Sequence, residues 1–373
     1  MTILGISAYH PDSSACIIQD GKLVAAAEEE RFKRIKHWAG FPKVAIEYCL
    51  AEANVSLSEV NYIAIGRNTK ANLWRKGLFA LKNHPGLGMM KDRVKNWSKI
   101  GDIGTTLSVE FGTDINIIRK KIINVEHHNA HMASSFLVSP FEKSAILSID
   151  GFGDFVSTRW GIGEGNKMNI IGNVFYPHSL GLFYMAVTQY LGFLRSGDEY
   201  KVMGLSSFGE PEFLRGFKNI VKFGNKKGFS LNLDYFTHHK GNTSMTWNNT
   251  APEMKKVYSE RLIKCFGLPR DYGEPITKRH KNLAASMQRL TEEVIFKLLN
   301  DLYKETKCKK LCIAGGVGYN SVANGKIYDN TPFEEIYIQS ASGDAGTCLG
   351  AASYVHNTLL KKPREFVMED AYW

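Results

Sequence analysis

A chain of 373 residues, 44% hydrophobic and 23% charged, is long enough for two domains or one large duplicated one, with the balance of an ordinary globular protein. No apolar run reaches the length that crosses a bilayer, and residues 1–8 carry neither a basic leader nor a cleavage site, so no membrane partner and a cytoplasmic location are expected. The net charge of +10 gathers at 31–36 and 118–121 without a nucleic-acid motif or interleaved aromatics, so it reads as a solvated basic face and nucleic acid is not an expected partner.

Residues 2–9 read as a strand, followed by a turn at His10-Pro11-Asp12-Ser13-Ser14. Residues 15–19 and 22–28 pair around Asp20-Gly21, a hairpin signal. Glu28 to His37 reads as a charged loop, and Ala45, Ile46, Cys49 and Leu50 mark a helix after Pro42. Asn61 to Gly66 is a strand; 70–111 is mixed, basic and mainly helical; Asn116 to Val125 reads as extended. Strands follow at 144–150, 155–162 and 168–174, so strand–turn–strand–turn–strand occurs twice, from residue 2 and from residue 144. Ser179 to Leu191 is a helix, Asp198 to Pro211 is loop-like, and 212–250 reads as a polar surface insertion. A long helix over 276–305 shows its apolar stripe at Leu283, Met287, Leu290, Val294, Leu298 and Leu302. Strands 310–314 and 335–339 end in Gly315-Gly316 and Ser342-Gly343-Asp344. The six cysteines are scattered, without a second pair at metal-ligand spacing, and read as reduced thiols.

The chain is organised around His127-His128-Asn129-Ala130-His131 and Asp150-Gly151-Phe152-Gly153-Asp154. On a helix, His127 and His131 lie on one face, where two imidazoles can share a metal ion. The pair alone also fits a surface or capping role, and D-G-x-G-D alone fits a plain turn. If the two preceding strands are parallel neighbours in one sheet, the helix start and Asp150 emerge at the same sheet edge, where ligands gather in open α/β folds. Asp344 fits either a second carboxylate ligand or an N-cap. Gly315 and Gly316 fit either close approach to a nucleotide or tight strand–helix packing.

The chain resembles the NodU/CmcH family of O-carbamoyltransferases over nearly its whole length. The resemblance runs through Leu4-Gly5-Ile6-Ser7-Ala8-Tyr9-His10, Asp12-Ser13-Ser14-Ala15, Glu28-Glu29-Glu30-Arg31-Phe32-Lys33-Arg34-Ile35-Lys36-His37 and Gly40-Phe41-Pro42. It continues in His127 to His131, Ser179-Leu180-Gly181-Leu182-Phe183-Tyr184, Lys201-Val202-Met203-Gly204-Leu205, Gly315-Gly316-Val317 and Gly343-Asp344-Ala345-Gly346. It implies a duplicated α/β fold of the actin/sugar-kinase/heat-shock ATPase class, with a first lobe at 1–143 and a second at 144–373. It also implies transfer of a carbamoyl group from carbamoyl-adenylate, itself made from carbamoyl phosphate and ATP, to a hydroxyl of a small-molecule or sugar acceptor.

On that resemblance His127, His131, Asp150 and Asp344 hold one divalent metal, Fe(II) by family and Mn(II) or Zn(II) by donor type. Gly181, Gly315, Gly316 and Asn320 are the expected nucleotide contacts, with ordinary packing as the alternative. His10 and Asp12 are the expected base and acceptor contact, Lys201 the expected countercharge, and Lys36 an acceptor-cleft residue. For His10 the alternative is a turn histidine, and for the lysines exposed surface charge. Two departures stand out. Family members continue into a YrdC-like adenylating domain, whereas this chain stops at Trp373, so a separate YrdC-like partner or an excised domain is expected. Gly318-Tyr319 is bulkier than the small pair common in that motif.

Overall fold

The computed structural model describes residues 1–83, 102–223, 228–240, 245–246 and 250–373. Strands β1 (Thr2–Ser7), β2 (Ser14–Gln19) and β3 (Lys22–Glu28) form an antiparallel meander, and β4 (Tyr62–Ile65) and β5 (Ile122–Asn124) extend it in parallel, in the order β3-β2-β1-β4-β5. β6 (Lys143–Gly153), β7 (Val156–Glu164) and β8 (Lys167–Phe175) repeat the meander. Two small hairpins follow, of β9 (Val221–Phe223) with β10 (Phe229–Leu231) and β11 (Met245–Thr246) with β12 (Glu253–Met254). β13 (Lys310–Ala314) and β14 (Glu335–Ile338) then complete a second sheet, in the order β14-β13-β6-β7-β8. The two sheets therefore share one topology, the duplicated arrangement that the repeated meander predicts.

Turn chemistry explains the hairpins. Asp20 and Gly21 both take positive φ, +48° and +85°, as a tight primed turn requires. The β6–β7 turn does the same with Asp154 and Phe155 at +49° and +75°, a strained choice for non-glycine residues. Helix Lys278–Thr306 starts at a Thr277/His280 capping box and buries all six residues of its predicted stripe in the larger core.

Four expectations give way. Ile115–Lys121 is a helix rather than a strand, because the Asp114 carboxylate accepts from the Asn116 N–H at 2.7 Å and Arg119, Lys120 and Lys121 sit on its C-terminal turn. The charged stretch after β3 contains helix Glu29–Lys33; Glu29 is fully buried, its carboxylate accepting from the N–H groups of Val44 and Ala45 at the start of helix Lys43–Glu52. Glu199–Ser206 is a helix, with Val202 packed into the core beside helix Lys278–Thr306. The segment 212–250 is less superficial than its polarity implies. Phe217, Ile220, Val221, Phe229, Leu231, Tyr235 and Phe236 join the second core, while 224–227, 241–244 and 247–249 lie outside the described residues. The 70–111 region contains helices Leu73–Asn83 and Ile103–Phe111, and 84–101 lies outside the described residues.

One further expectation fails in an instructive way. β5 and β6 are not neighbours; they belong to different sheets. The helix after β5, His127–Phe136, leaves the first sheet and packs Met132, Ala133 and Phe136 against Ile146 and Cys312 of the second. Helix Thr347–Ser353, after β14, packs Cys348, Leu349, Ala351 and Ala352 against Ile3, Cys16 and Ala64 of the first. The two helices cross between the sheets. A Cβ on Gly350 would stand 1.8 Å from the Ala130 carbonyl oxygen, so only glycine permits that approach.

Candidate metal centre

Helix His127–Phe136 begins with Glu126, whose carboxylate accepts from the Asn129 N–H at 2.8 Å and pairs with Arg159. The His127 N–H is taken by Asp154 Oδ2 at 2.9 Å, an oxygen that also accepts from the Asn68 N–H at 2.7 Å. With its first turn fixed, the helix brings His127 Nε2 to 3.0 Å from His131 Nε2. His128 faces elsewhere. Its Nε2 meets the Val156 carbonyl at 3.0 Å and its Nδ1 meets Ser148 Oγ at 2.8 Å, so the ring donates from Nε2, and burial holds it neutral, well below the ordinary imidazole range.

The carboxylates arrive from the second lobe. Asp150 lies in β6, and the Gly316 N–H donates to its Oδ1 at 2.9 Å. Its Oδ2 is 3.4 Å from His127 Nε2 and 4.0 Å from His131 Nε2. Glycines make room here. Gly315 has φ of +96° and a Cβ there would stand 2.1 Å from the Ile149 oxygen, while one on Gly181 would reach the Gly151 backbone at 2.9 Å. Asp344, in the turn after β14, places Oδ1 3.5 Å from both His127 Nε2 and His131 Nε2. One ligand atom from each of His127, His131, Asp150 and Asp344 thus lies within 4.8 Å of every other.

This arrangement fits a divalent cation. Two facing imidazole nitrogens, the buried Asp150 carboxylate and the half-buried Asp344 carboxylate present converging lone pairs, and a mixed N/O set of four suits Fe(II), Mn(II) or Zn(II). Burial works against a charged His127, but the Asp150 hydrogen bond and the charges of Asp344, Asp150 and Asp154 outweigh it and lift the ring to about 9. His131 is lowered by burial and by His127. Burial opposes the charge on Asp344, yet His10, His131 and His127 together hold that carboxyl well below its usual range. Among the described residues neither His127 Nδ1 nor His131 Nδ1 has a partner, unlike the usual ligand histidine braced from behind.

His10 joins the cluster. It is buried, with Nδ1 2.9 Å from Asp344 Oδ2 and Nε2 3.1 Å from Ser7 Oγ. The single Ser7 hydroxyl proton has two acceptors in reach, His10 Nε2 and the Asp344 carbonyl, each 3.1 Å away. Asp12 stands apart, its Oδ1 2.7 Å from His37 Nδ1, while Glu30 accepts from the His37 N–H. That hydrogen bond to Asp12, opposed by burial and helped by the Asp12, Glu30 and Glu199 charges, raises His37. Lys36 is exposed. Lys201 is held by Asp198 at 2.6 Å on the rim of helix Glu199–Ser206. The Asn320 amide is engaged inside the protein, exchanging two bonds with Gln288 and accepting from the Ala323 N–H. It braces the turn after β13. Ser7 and Asp154 are the residues that motif spacing missed. Asp154 is visible only as the closing residue of D-G-x-G-D, and nothing local marks Ser7.

Residues 2–353 match the family described as carbamoyltransferase N-terminus. The chain belongs to that family. It is similar to the uncharacterized protein sll1178 of Synechocystis sp., with 38% identity over 99% of this chain and 59% of that protein. It is also similar to nodulation protein NolNO of Sinorhizobium fredii, with 33% identity over 97% of this chain and 48% of the relative. The carbamoyltransferase N-terminal chain thus spans about half to three fifths of the length of these relatives. Among solved structures, component A of Acidaminococcus fermentans (R)-2-hydroxyglutaryl-CoA dehydratase aligns over 95% of this chain and 97% of its own, with 14% identity and a TM-score of 0.47.

Proposed function

We propose that this chain performs the transfer half of O-carbamoylation, moving a carbamoyl group from carbamoyl-adenylate to a hydroxyl of a small-molecule or sugar acceptor. The adenylate would come from carbamoyl phosphate and ATP, through a YrdC-like domain outside these 373 residues. The observation that carries this reading is the four-donor cluster with His10 bonded to its rim through Asp344. His127, His131, Asp150 and Asp344 would hold the divalent ion, Fe(II) by family resemblance. Bound there, the ion supplies positive charge that draws in the donor's phosphoryl group and polarises its carbamoyl carbonyl.

The proton chemistry falls to His10. Its Nδ1 faces two acceptors, Asp344 Oδ2 and the Pro11 carbonyl, so Nδ1 carries the proton and Nε2 keeps its lone pair toward Ser7. An acceptor hydroxyl is too weak an acid to attack unaided. Its proton passes to Nε2, directly or through the Ser7 hydroxyl, as its oxygen bonds the carbamoyl carbon and AMP departs. Asp344 stabilises the imidazolium that forms. Gly315, Gly316 and Gly181 pack against Ile149, Asp150 and Gly151, so a nucleotide would meet them through their backbone amides and carbonyls, and Asp12 would be the acceptor-side carboxylate.

The test combines metal analysis with transfer. The purified chain is incubated with carbamoyl phosphate, ATP and hydroxyl acceptors, with and without a separately supplied YrdC-like domain. AMP and a carbamoylated product only when that domain is present is the expected outcome. Bound metal and nucleotide with no transfer under either condition would overturn the proposal.

A further inference from the structure

The Arg67 guanidinium is unusual in this molecule. Its Nε is enclosed away from solvent and has no hydrogen-bond partner, and among the described residues no carboxylate forms an ion pair with it. A buried donor left unmade costs about 1–3 kcal/mol, more for a charged group, so such a residue calls for an explanation.

Its backbone, by contrast, is firmly held. The Arg67 carbonyl accepts from Asn124 Nδ2 at 2.9 Å. The preceding Gly66 donates to the Ile6 carbonyl at 3.0 Å and lies so close to Thr347 that a Cβ would meet its Oγ1 at 2.8 Å. The following Asn68 donates to Asp154 Oδ2, the oxygen that fixes the His127 N–H, and Asn72 Nδ2 reaches the Asp154 carbonyl at 2.9 Å. Arg67 is thus clasped between the turn that carries Asp344 and the start of the helix that carries His127 and His131.

The duplication sharpens this placement. Arg67 is the second residue after β4, the fourth strand of the first sheet in chain order. In the second sheet that position, second after β13, is Gly316, whose N–H binds Asp150 of the metal cluster. One lobe presents a backbone donor there and the other a half-buried cation that no carboxylate among the described residues pairs with.

We infer that Arg67 is an oxyanion-binding residue of this site and that its missing partner is a phosphoryl oxygen of the donor. The inference rests on the transfer reading for the identity of the donor, though not for the binding of phosphate. A guanidinium offers paired N–H groups that match two phosphoryl oxygens, a geometry that lysine lacks. Arg67 and the metal cluster would then grip the same phosphoryl group from two sides, leaving the carbamoyl carbon toward His10.

Titration calorimetry of the whole chain with inorganic phosphate, carbamoyl phosphate and AMP tests this, alongside metal content and Tm. The R67Q variant is expected to weaken all three phosphoryl ligands at least tenfold, with R67K intermediate. Metal content should not change, and R67M should melt no lower than the wild type, because an unsatisfied donor has been removed. If only AMP and carbamoyl phosphate bind, both weakened by R67Q, the ligand is the esterified donor; if inorganic phosphate follows suit, the site reads the phosphoryl group alone. Wild-type affinity for every probe in R67Q, or a lowered Tm in R67M with unaltered affinities, would assign Arg67 a packing role and overturn the inference. A wild-type chain that binds phosphate through Arg67 yet never transfers would sink the functional proposal and leave this one standing.

Discussion

At the end of its first strand the N-terminal sheet carries Ser7 and, three residues on, His10; at the corresponding point of the C-terminal sheet stands Asp150. After its fifth strand in chain order the first lobe supplies His127 and His131, and the second supplies Asp344. Equivalent positions in two copies of one topology have thus diverged into complementary donors: imidazole nitrogen from one lobe, carboxylate oxygen from the other. A hard oxygen-only site would attract the abundant magnesium and calcium ions; adding two imidazoles turns the preference toward transition metals. Division between lobes also means that neither half holds the cation by itself.

The most severe way to break this division is to remove one nitrogen. H131A is expected to lose bound metal altogether, with transfer falling at least about a thousandfold; elemental analysis showing full occupancy would remove His131 from the ligand set. D344N should be comparably damaging and should also release His10. H10Q tests the other arm. It should keep its metal while transfer from carbamoyl-adenylate falls about 10²- to 10⁴-fold, the range of a lost general base. Unchanged turnover in H10Q would put the base elsewhere.

Smaller effects probe the scaffold that aligns the lobes. G350A drives a methyl group into the Ala130 carbonyl where the two helices cross. A loss of about 1–3 kcal/mol is expected from denaturant unfolding, with weakened metal binding, because His131 is one residue from that contact. The least effect belongs to His37, which lies against Gly197 of the other lobe and is raised by Asp12. A raised imidazole contributes its full stabilisation below the unfolded-state value near 6.5, and loses it as pH climbs through the higher folded value. The difference in Tm between wild type and H37Q should therefore shrink with rising pH across that window, from a contribution under about 1 kcal/mol. A difference that widened instead would reverse the assigned sign.

Much of this was legible in the residues. Period-two patterns and turn pairs marked both meanders, and an i, i+4 spacing marked the ligand face of the His127 helix. What resisted was tertiary. Ile115–Lys121 is rich in β-branched isoleucine and reads as strand, yet a single Asp114 cap and three basic residues at its far end make it helical. Asp150 and the histidines were expected to meet at one sheet edge. They meet because a helix leaves its own sheet for the other, a crossing that Gly350 permits by its close approach to Ala130 and that no local pattern reveals. Asn320 and Lys201 followed motif positions, but Gln288 and Asp198 engage them. Ser7 and Arg67 acquire meaning only from the groups around them.

The exchange of helices between the sheets also governs how the protein can assemble during synthesis. The face formed by Ile3, Cys16, Ile18 and Ala64 is covered by Cys348, Leu349, Ala351 and Ala352, more than 280 residues later. The Ala26 N–H likewise waits for the carbonyl of Trp373. A nascent first lobe leaving the ribosome would expose an uncovered apolar sheet face until residues 348–352 have also emerged. Cleavage between the lobes would leave two fragments that need each other to finish their cores, so complementation by separately expressed halves, rather than independent folding, is the behaviour this architecture dictates.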